Sequence, residues 1–354
     1  MRADTRETGA SAATGLSVLP GLQVVREHEY AHALRHFGER ILLEVRHGEI
    51  RVGDTPWPRV HTALKPLDDA AGVSELWLSD AAVRHETRAG LRIACDAQFL
   101  LAAAHVPLAE HAAAAPAARL VYEALTREVL PVSACPHLLR AWNVIPHVNR
   151  AEPGAAAQGS HGERYRQFCV GRHEGIADRI APAQLPAGTG VGSQGTHAAM
   201  WFLAARAGGT QIENPRQVSA YRYPEHYGPR SPSFARATLV RGAHEDALLI
   251  SGTASIVGHL SMHTGDDDES VRRQVQESLA NIEVLVHEAR KAGASALDMR
   301  DGQYKVYVRH ARHSALVREA LTPVLAGLPV VYLQADICRA NLNVEIEGVI
   351  RAAQ

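Results

Sequence analysis

The sequence predicts an α+β protein built from two tandem repeats. Three observations carry that prediction. The second half runs through strands and amphipathic helices in the order ββαβαββ, and the first half gives a looser copy of that order. The chain also has enough apolar material for the cores such units need: 354 residues, 46% hydrophobic and 21% charged. A repeat on this scale organises a chain more strongly than any single motif.

The second repeat is the clearer one. "RATLV" and "ALLISGTASIVG" read as strands, and "DDDESVRRQVQESLANIEVLVHEARKAG" reads as a long helix. Val271, Val275, Leu279, Ile282, Val286 and Ala289 fall three or four residues apart, which places them on one helical stripe. Asp266, Asp267 and Asp268 suit the positive end of the helix dipole, and Gly293 supplies a stop. A strand "YKVYVR", a helix over Ser314–Leu325 and two strands within "QADICRANLNVEIEG" complete the unit.

In the first repeat "ILLEVRHGEIRVGD" reads as a hairpin and "LRIACDAQFLLAA" as a strand. "LAEHAAAAPAARLVYEALTREVL" is the long helix, "HLLRAWNVIP" the next strand and "GERYRQFCVGRHEGIA" the second helix. "GTHAAMWFLAARA" supplies the closing pair. The units are accordingly placed at 20–210 and 211–354, after an Ala, Gly, Ser and Thr rich tail over 1–19.

Composition excludes several functions. A formal net charge of −1 gives no field that would draw in nucleic acid or an anionic membrane. No window approaches a membrane span, and the first nineteen residues lack the apolar core of a signal peptide. Cys95, Cys135, Cys169 and Cys338 have neither CxxC spacing nor the density of a disulfide scaffold, so the expected setting is the reducing cytoplasm. Lys occurs only at 65, 291 and 305; nearly all the positive charge is Arg, which suits forked recognition of carboxylates.

Two motifs are set aside. "HEYAH" at 28–32 has zinc-binding spacing, but only 27 residues precede it and no third ligand is marked; in a chain with 20 His it reads as chance, and no metal is expected. "GVGSQG" at 190–195 matches a dinucleotide fingerprint, yet a loop precedes it and the close of the first repeat follows, so it reads as a glycine-rich hairpin or loop and no cofactor is expected.

The unusual stretch is "QADICRANLNVEIEG", where two strand-like apolar stretches carry Asp336, Cys338, Arg339, Glu345 and Glu347. Carboxylates are rarely buried unpaired, so on an apolar strand they point to a site. "AYRYPEHYGPRSPSFAR" presents Tyr221, Tyr223, Tyr227, Arg230 and Arg236 in a Pro-rich loop, and "ERYRQF" adds Arg164, Tyr165 and Arg166. Arg grips a carboxylate through parallel hydrogen bonds, and Tyr adds a donor on an apolar plate.

The second half resembles the RidA/YjgF family: "SGTASIVG", "QVQESLANIEVLVHEARKAG", "KVYVR" and "VEIEGVI" fall in that family's order. Two such repeats in one chain resemble the chorismatase family, also described as pteridine-dependent dioxygenase-like. The stretches that carry this are "HLLRAWNVIPHVN", "GERYRQFCVGRHEGIA", "IENPRQVSAYRYPEHYGPRSPSFARAT", "ISGTASIVGH" and "QADICRANLNVEIEG", across most of 135–350. The resemblance implies a mixed sheet with two helices on one face in each repeat. It also implies a monomer arranged internally like a RidA trimer, and chorismate as the substrate.

It further implies that Glu345 protonates the enolpyruvyl methylene, a role that needs a raised pKa. Arg164, Tyr165, Tyr221, Tyr227, Arg230 and Arg236 are the candidate carboxylate and ring contacts. Members that form 3-hydroxybenzoate resemble this chain in pairing Gly252 with Cys338; the implied product is 3-hydroxybenzoate, with 4-hydroxybenzoate as a co-product, by an arene-oxide rearrangement with Cys338 catalytic. Hydrolysis to a dihydroxycyclohexadiene carboxylate, RidA-like imine deamination and a non-enzymatic binding role are the alternatives. The deaminase reading is weakened by Tyr332, which stands where simple RidA proteins carry an Arg.

Overall fold

The computed structural model describes residues 17–49, 53–68, 71–108, 112–152 and 162–353. The first strands in the chain are β1 (Gly21–Arg26), β2 (Ile41–His47), β3 (Arg59–His61), β4 (Lys65–Pro66) and β5 (Val73–Leu78). Four of them form a sheet in the order β1-β5-β2-β3, with the short helix α1 (Tyr30–Phe37) packed against it. β4 leaves to edge a different sheet.

Two copies of one topology follow. The first runs β6 (Arg84–Arg88), β7 (Leu91–Cys95), β8 (Phe99–Pro107), α2 (Ala114–Glu123), β9 (His137–Pro146), α3 (Arg164–Ile176), β10 (Ala187–Ser193) and β11 (His197–Ala205). The second runs β12 (Thr210–Ile212), β13 (Ala237–Arg241), β14 (Glu245–Ala254), the small hairpin β15 (Ile256–Val257) and β16 (Leu260–Ser261), α4 (Asp268–Lys291), β17 (Gly302–Val308), α5 (Ser314–Leu325), β18 (Val330–Gln334), β19 (Asp336–Ile337) and β20 (Val344–Ala353). The sheet orders β19-β10-β9-β11-β8-β7-β6 and β4-β18-β17-β20-β14-β13-β12 correspond strand for strand, and in each the only parallel neighbours are the two strands joined by the second helix. Both are mixed sheets with two helices on one face, the α+β architecture that the sequence predicts.

The inner faces of all three sheets close on one another. Trp77 of the first, Trp142 and Trp201 of the second and Tyr307 and Leu333 of the third share a single buried cluster. β2, β5 and β9 are buried on both faces, so even their charged and polar residues, Glu44, Arg46, Glu75 and Arg140 among them, lie inside the molecule. β19 pairs with β10 and β4 with β18, so each repeat's sheet is completed by a strand from elsewhere in the chain.

Several sequence expectations change. The hairpin expected at 41–54 does not open the first repeat: β2 pairs with β5 and β3, and residues 50–52 lie outside those described. The true opening is β6 to β8. "LRIACDAQFLLAA" is two strands because Asp96 turns the chain by accepting the backbone N–H groups of Gln98 and Phe99, each at 2.7 Å. The closing pair begins earlier, at β10, whose "AGTGVGS" carries little strand propensity; this absorbs most of the GxGxxG motif into a strand, and not into the expected hairpin, because β9 lies between β10 and β11. Of the expected tail, 1–16 lie outside the described residues, whereas Leu19 is fully buried. In the HExxH segment His28 and His32 are exposed, and Glu29 accepts the backbone N–H of Arg26. No described helix is long and apolar enough to cross a membrane.

The long helix behaves as its stripe predicts: Val271, Val275, Ile282, Val286 and Ala289 are buried, and Asp267 caps it by accepting the Ser270 N–H at 3.0 Å. It also buries a polar row. Asn281 donates to the carbonyls of Ala254 (3.3 Å) and Ile256 (3.0 Å), and Gln274 accepts the Asn343 N–H at 2.7 Å. That row fastens both chain segments that enclose the site described next.

Candidate active site

β20 lies between β14 and β17, and residues two apart on a strand share a face. Glu345 and Glu347 therefore both point into the centre of the molecule, 3% and 2% exposed. Burial is the larger cause that pushes Glu345 up to about 8, and the charge of Glu347 adds to it, while Arg140 and Arg236 pull the other way. At neutral pH Glu345 holds a proton.

Its carboxyl faces a cleft of about 610 Å³ between the two repeats. Tyr165, with Glu163 and Arg166, enters from the start of α3; Tyr223, Tyr227, Phe234 and Arg236 come from the Pro-rich loop; Gly252 and Ala254 from β14; Cys338 and Arg339 from the loop before β20.

Gly252 is required by contact. A Cβ there would lie 1.9 Å from Oε1 of Glu345, so any side chain displaces the carboxyl. Its N–H donates to Thr189 Oγ1 at 3.0 Å, which ties β14 to β10 across the repeat boundary. Gly190 does similar work below the ring of Tyr165, whose Cε2 would be 3.1 Å from an added Cβ.

Two guanidinium groups bring donors into the cleft. Arg236 donates to Tyr223 Oη at 2.7 Å and to the Val218 carbonyl at 2.8 Å; Arg339 donates to the His259 carbonyl at 2.8 Å and to Ser261 Oγ at 3.1 Å. Among the described residues, Nε of Arg236 and Nη2 of Arg339 are buried with no hydrogen-bond partner. Buried donors of this kind are costly unless something accepts from them, and an anionic ligand would. Arg339 also stacks on Tyr227 and Tyr223, 4.2 and 5.2 Å from the ring centres.

Cys338 lies on a loop, not on a strand as the sequence suggests. Arg309 holds that loop, donating to Asp336 at 2.7 Å and to the carbonyls of Arg339 (2.9 Å) and Leu342 (2.8 Å). Burial, with the neighbouring Glu345, pushes the thiol up to about 12, so it stays an S–H group.

Six of the nine sequence candidates meet in the cleft: Glu345, Cys338, Tyr165, Tyr227, Arg236 and Gly252. Three do not. Arg164 is one helix position from Tyr165 and so points elsewhere; it is fully buried and donates to the carbonyls of Pro146 (3.1 Å) and Ala112 (3.0 Å). Tyr221 packs toward the α2/α3 core, and Arg230 is exposed in a separate groove. Sequence reasoning missed Phe234, Glu163 and the role of Arg339, although Arg339 is next to Cys338.

Residues 75–204 match the family model "Chorismatase FkbO/Hyg5-like, N-terminal". A 3-hydroxybenzoate synthase of Streptomyces hygroscopicus is 35% identical over 349 residues, covering 94% of this chain and 98% of that protein. The chain belongs to the chorismatase family. A chorismatase of Streptomyces rapamycinicus is 37% identical over 306 residues, covering 83% of this chain and 86% of its own length. A chorismatase crystal structure superposes with a TM-score of 0.80 at 30% identity, over 94% of this chain and 99% of that one. The likeness covers both repeats and the preceding sheet, so the cleft belongs to a shared chorismatase fold.

Proposed function

We propose that this chorismatase-family chain converts chorismate to 3-hydroxybenzoate and pyruvate, with 4-hydroxybenzoate as a co-product. The observation that carries the reading is a protonated carboxyl, Glu345, set in an apolar cleft beside two guanidinium groups with unsatisfied donors. The relatives named 3-hydroxybenzoate synthase and chorismatase support the same substrate and product.

Chorismate carries a ring carboxylate and a second carboxylate on its enolpyruvyl ether. Arg236 and Arg339 each offer a donor to such a group, and Tyr165, Tyr227 and Phe234 flank the ring. Glu345 gives its proton to the enolpyruvyl methylene carbon, leaving a positively charged ether carbon. The ring hydroxyl oxygen attacks the ring carbon that bears the ether, and the ether bond breaks with its electrons forming the carbonyl of pyruvate. The hydroxyl proton returns to Glu345, so the acid is reset without water. Opening of the arene oxide and loss of the ring hydrogen give the phenol. Cys338, kept as a thiol, donates to the opening oxide oxygen and steers it toward the 3-isomer. Gly252 leaves the acid and the ring in line.

The four cysteines are free among the described residues, in keeping with a reducing, cytoplasmic enzyme, and the three-sheet centre lies within one chain, in keeping with a monomer. Incubation with chorismate and chromatography of the products tests the function. Hydroxybenzoate with stoichiometric pyruvate is expected; a dihydroxycyclohexadiene carboxylate would replace the rearrangement with hydrolysis, and no pyruvate would remove chorismate as substrate.

A further inference from the structure

Only three lysines occur in the chain, and one of them, Lys305, is buried where the three sheets meet, 7% exposed. On β17 it stands directly across from Glu347. Its Nζ lies 2.8 Å from Glu347 and 3.2 Å from Glu75 of β5. Glu75 in turn lies 2.6 Å from His47 Nε2, and His47 Nδ1 is 2.8 Å from Thr62 Oγ1. On the other side, Glu347 accepts from Arg140 Nη2 (3.0 Å), from Trp142 Nε1 (3.0 Å) and from Thr189 Oγ1. Burial holds His47 neutral, so two carboxylates are balanced by Lys305 and Arg140, and Glu345 is left outside that balance.

We propose that Lys305 is a positioning residue for the reaction: by fixing Glu347 as a carboxylate, it places the single proton of the Glu345–Glu347 pair on Glu345, the carboxyl that faces the cleft. The proposal rests on the reading of Glu345 as the acid. Two carboxyl groups on the same face of one strand do not both ionise in a buried site, so the pair keeps one proton. Both Glu347 oxygens already face donors, which leaves a carboxylic O–H there without an acceptor. The other groups around Glu345 do not decide the matter. Tyr307 and Tyr165 are held neutral by burial, Cys338 stays a thiol, Arg140 acts against protonation of both carboxyls, and Arg236 acts against protonation of Glu345. Without Lys305, Arg140 alone is left to balance Glu75 and Glu347, and the proton moves to Glu347, two residues from the cleft.

The test is made on ligand-free protein by infrared difference spectroscopy and on turnover by pH profile. In the wild-type background the carboxylic acid band is lost in Glu345→Gln. In Lys305→Met the band should instead survive Glu345→Gln, because the proton then resides on Glu347, and adding Glu347→Gln to Lys305→Met should return the band to Glu345. kcat/KM of Lys305→Met should fall at least about tenfold at neutral pH and recover toward acid pH, where both carboxyls are protonated. Lys305→Met/Glu347→Gln, which again balances charge and cannot hold the proton at position 347, should regain most of the neutral-pH rate. A band that still follows Glu345 in Lys305→Met, or a uniform loss with an unchanged pH profile, would overturn the proposal and leave Lys305 a structural ion pair. Lys305→Gln keeps a polar group at that depth and takes the place of Lys305→Met should the latter not fold. Failure of the wild type to release pyruvate from chorismate would remove the acid role instead, while the infrared result would still locate the proton.

Discussion

Glu345 and Glu347 sit two residues apart on one strand, equally buried, and yet hold opposite charge states. Around Glu347 a lysine, an arginine, an indole N–H and a hydroxyl converge; burial would raise its pKa, but Lys305 and Arg140 outweigh burial and hold it below the usual carboxylate range. Around Glu345 there is an apolar cleft and the negative charge of Glu347, and the pKa rises to about 8. Burial alone does not decide which carboxyl keeps a proton. The partners supplied to its neighbour do.

The largest effect is expected at Glu345. Glu345→Gln keeps size and loses the proton, and kcat/KM on chorismate should fall about a thousandfold, within the range for a general acid, while binding of chorismate measured by calorimetry persists. Equal turnover by the variant would move the acid elsewhere.

On the Glu347 side, Arg140→Met leaves buried carboxylate charge under-compensated and should cost about 3 to 5 kcal/mol in denaturant unfolding. A loss below about 1 kcal/mol would mean that Lys305 alone satisfies the centre.

Stability against pH sharpens the contrast. Glu345 is raised from 4.5 to about 8, so its buried form favours folding below pH 4.5, and that contribution is lost as pH rises toward 8. At pH 7 the difference, 7 less 4.5 at about 1.36 kcal/mol per unit, is about 3 kcal/mol. Glu345→Gln should therefore unfold at a higher temperature than the wild type at neutral and alkaline pH, with the gap closing near pH 4.5. Glu75 behaves oppositely. Burial would raise it, but Lys305 and His47 outweigh burial and bring it to about 2, so its contribution is present above pH 4.5 and fades as pH falls toward 2.

A smaller effect is expected at the contact between the cleft and its acid. Gly252→Ala puts a methyl against the Glu345 carboxyl and should lower kcat about ten- to a hundredfold, with a changed ratio of hydroxybenzoates by chromatography. An unchanged ratio would separate that contact from product choice. Smallest of all, Arg230→Ala should alter KM for chorismate by less than about twofold, because Arg230 is exposed outside the cleft; a larger change would return it to the carboxylate contacts.

Much of the second repeat was legible because its cues are local. The stripe from Val271 to Ala289, the Asp267 cap and the α5 limits follow from spacing and capping chemistry. The first repeat was harder, since β10 is a strand of small residues whose ladder and cross-repeat contacts override its low propensity, and since the hairpin expected at 41–54 belongs to a third sheet. For the site, a carboxylate on an apolar strand and an Arg and Tyr rich loop were enough to find Glu345, Tyr227 and Arg236. They were not enough to exclude Arg164 or Arg230, because a one-residue step on a helix or in a loop reverses where a side chain points.

By itself the sequence determined the long helix and the apolar strand that carries Glu345 and Glu347, since each is encoded within a few consecutive residues. Only the tertiary structure decided that Lys305 of one strand, Glu75 of another sheet and Arg140 of a third would meet at Glu347. Those groups are separated by up to some hundreds of positions in the chain, and charge acts through distance in space, which no local pattern records.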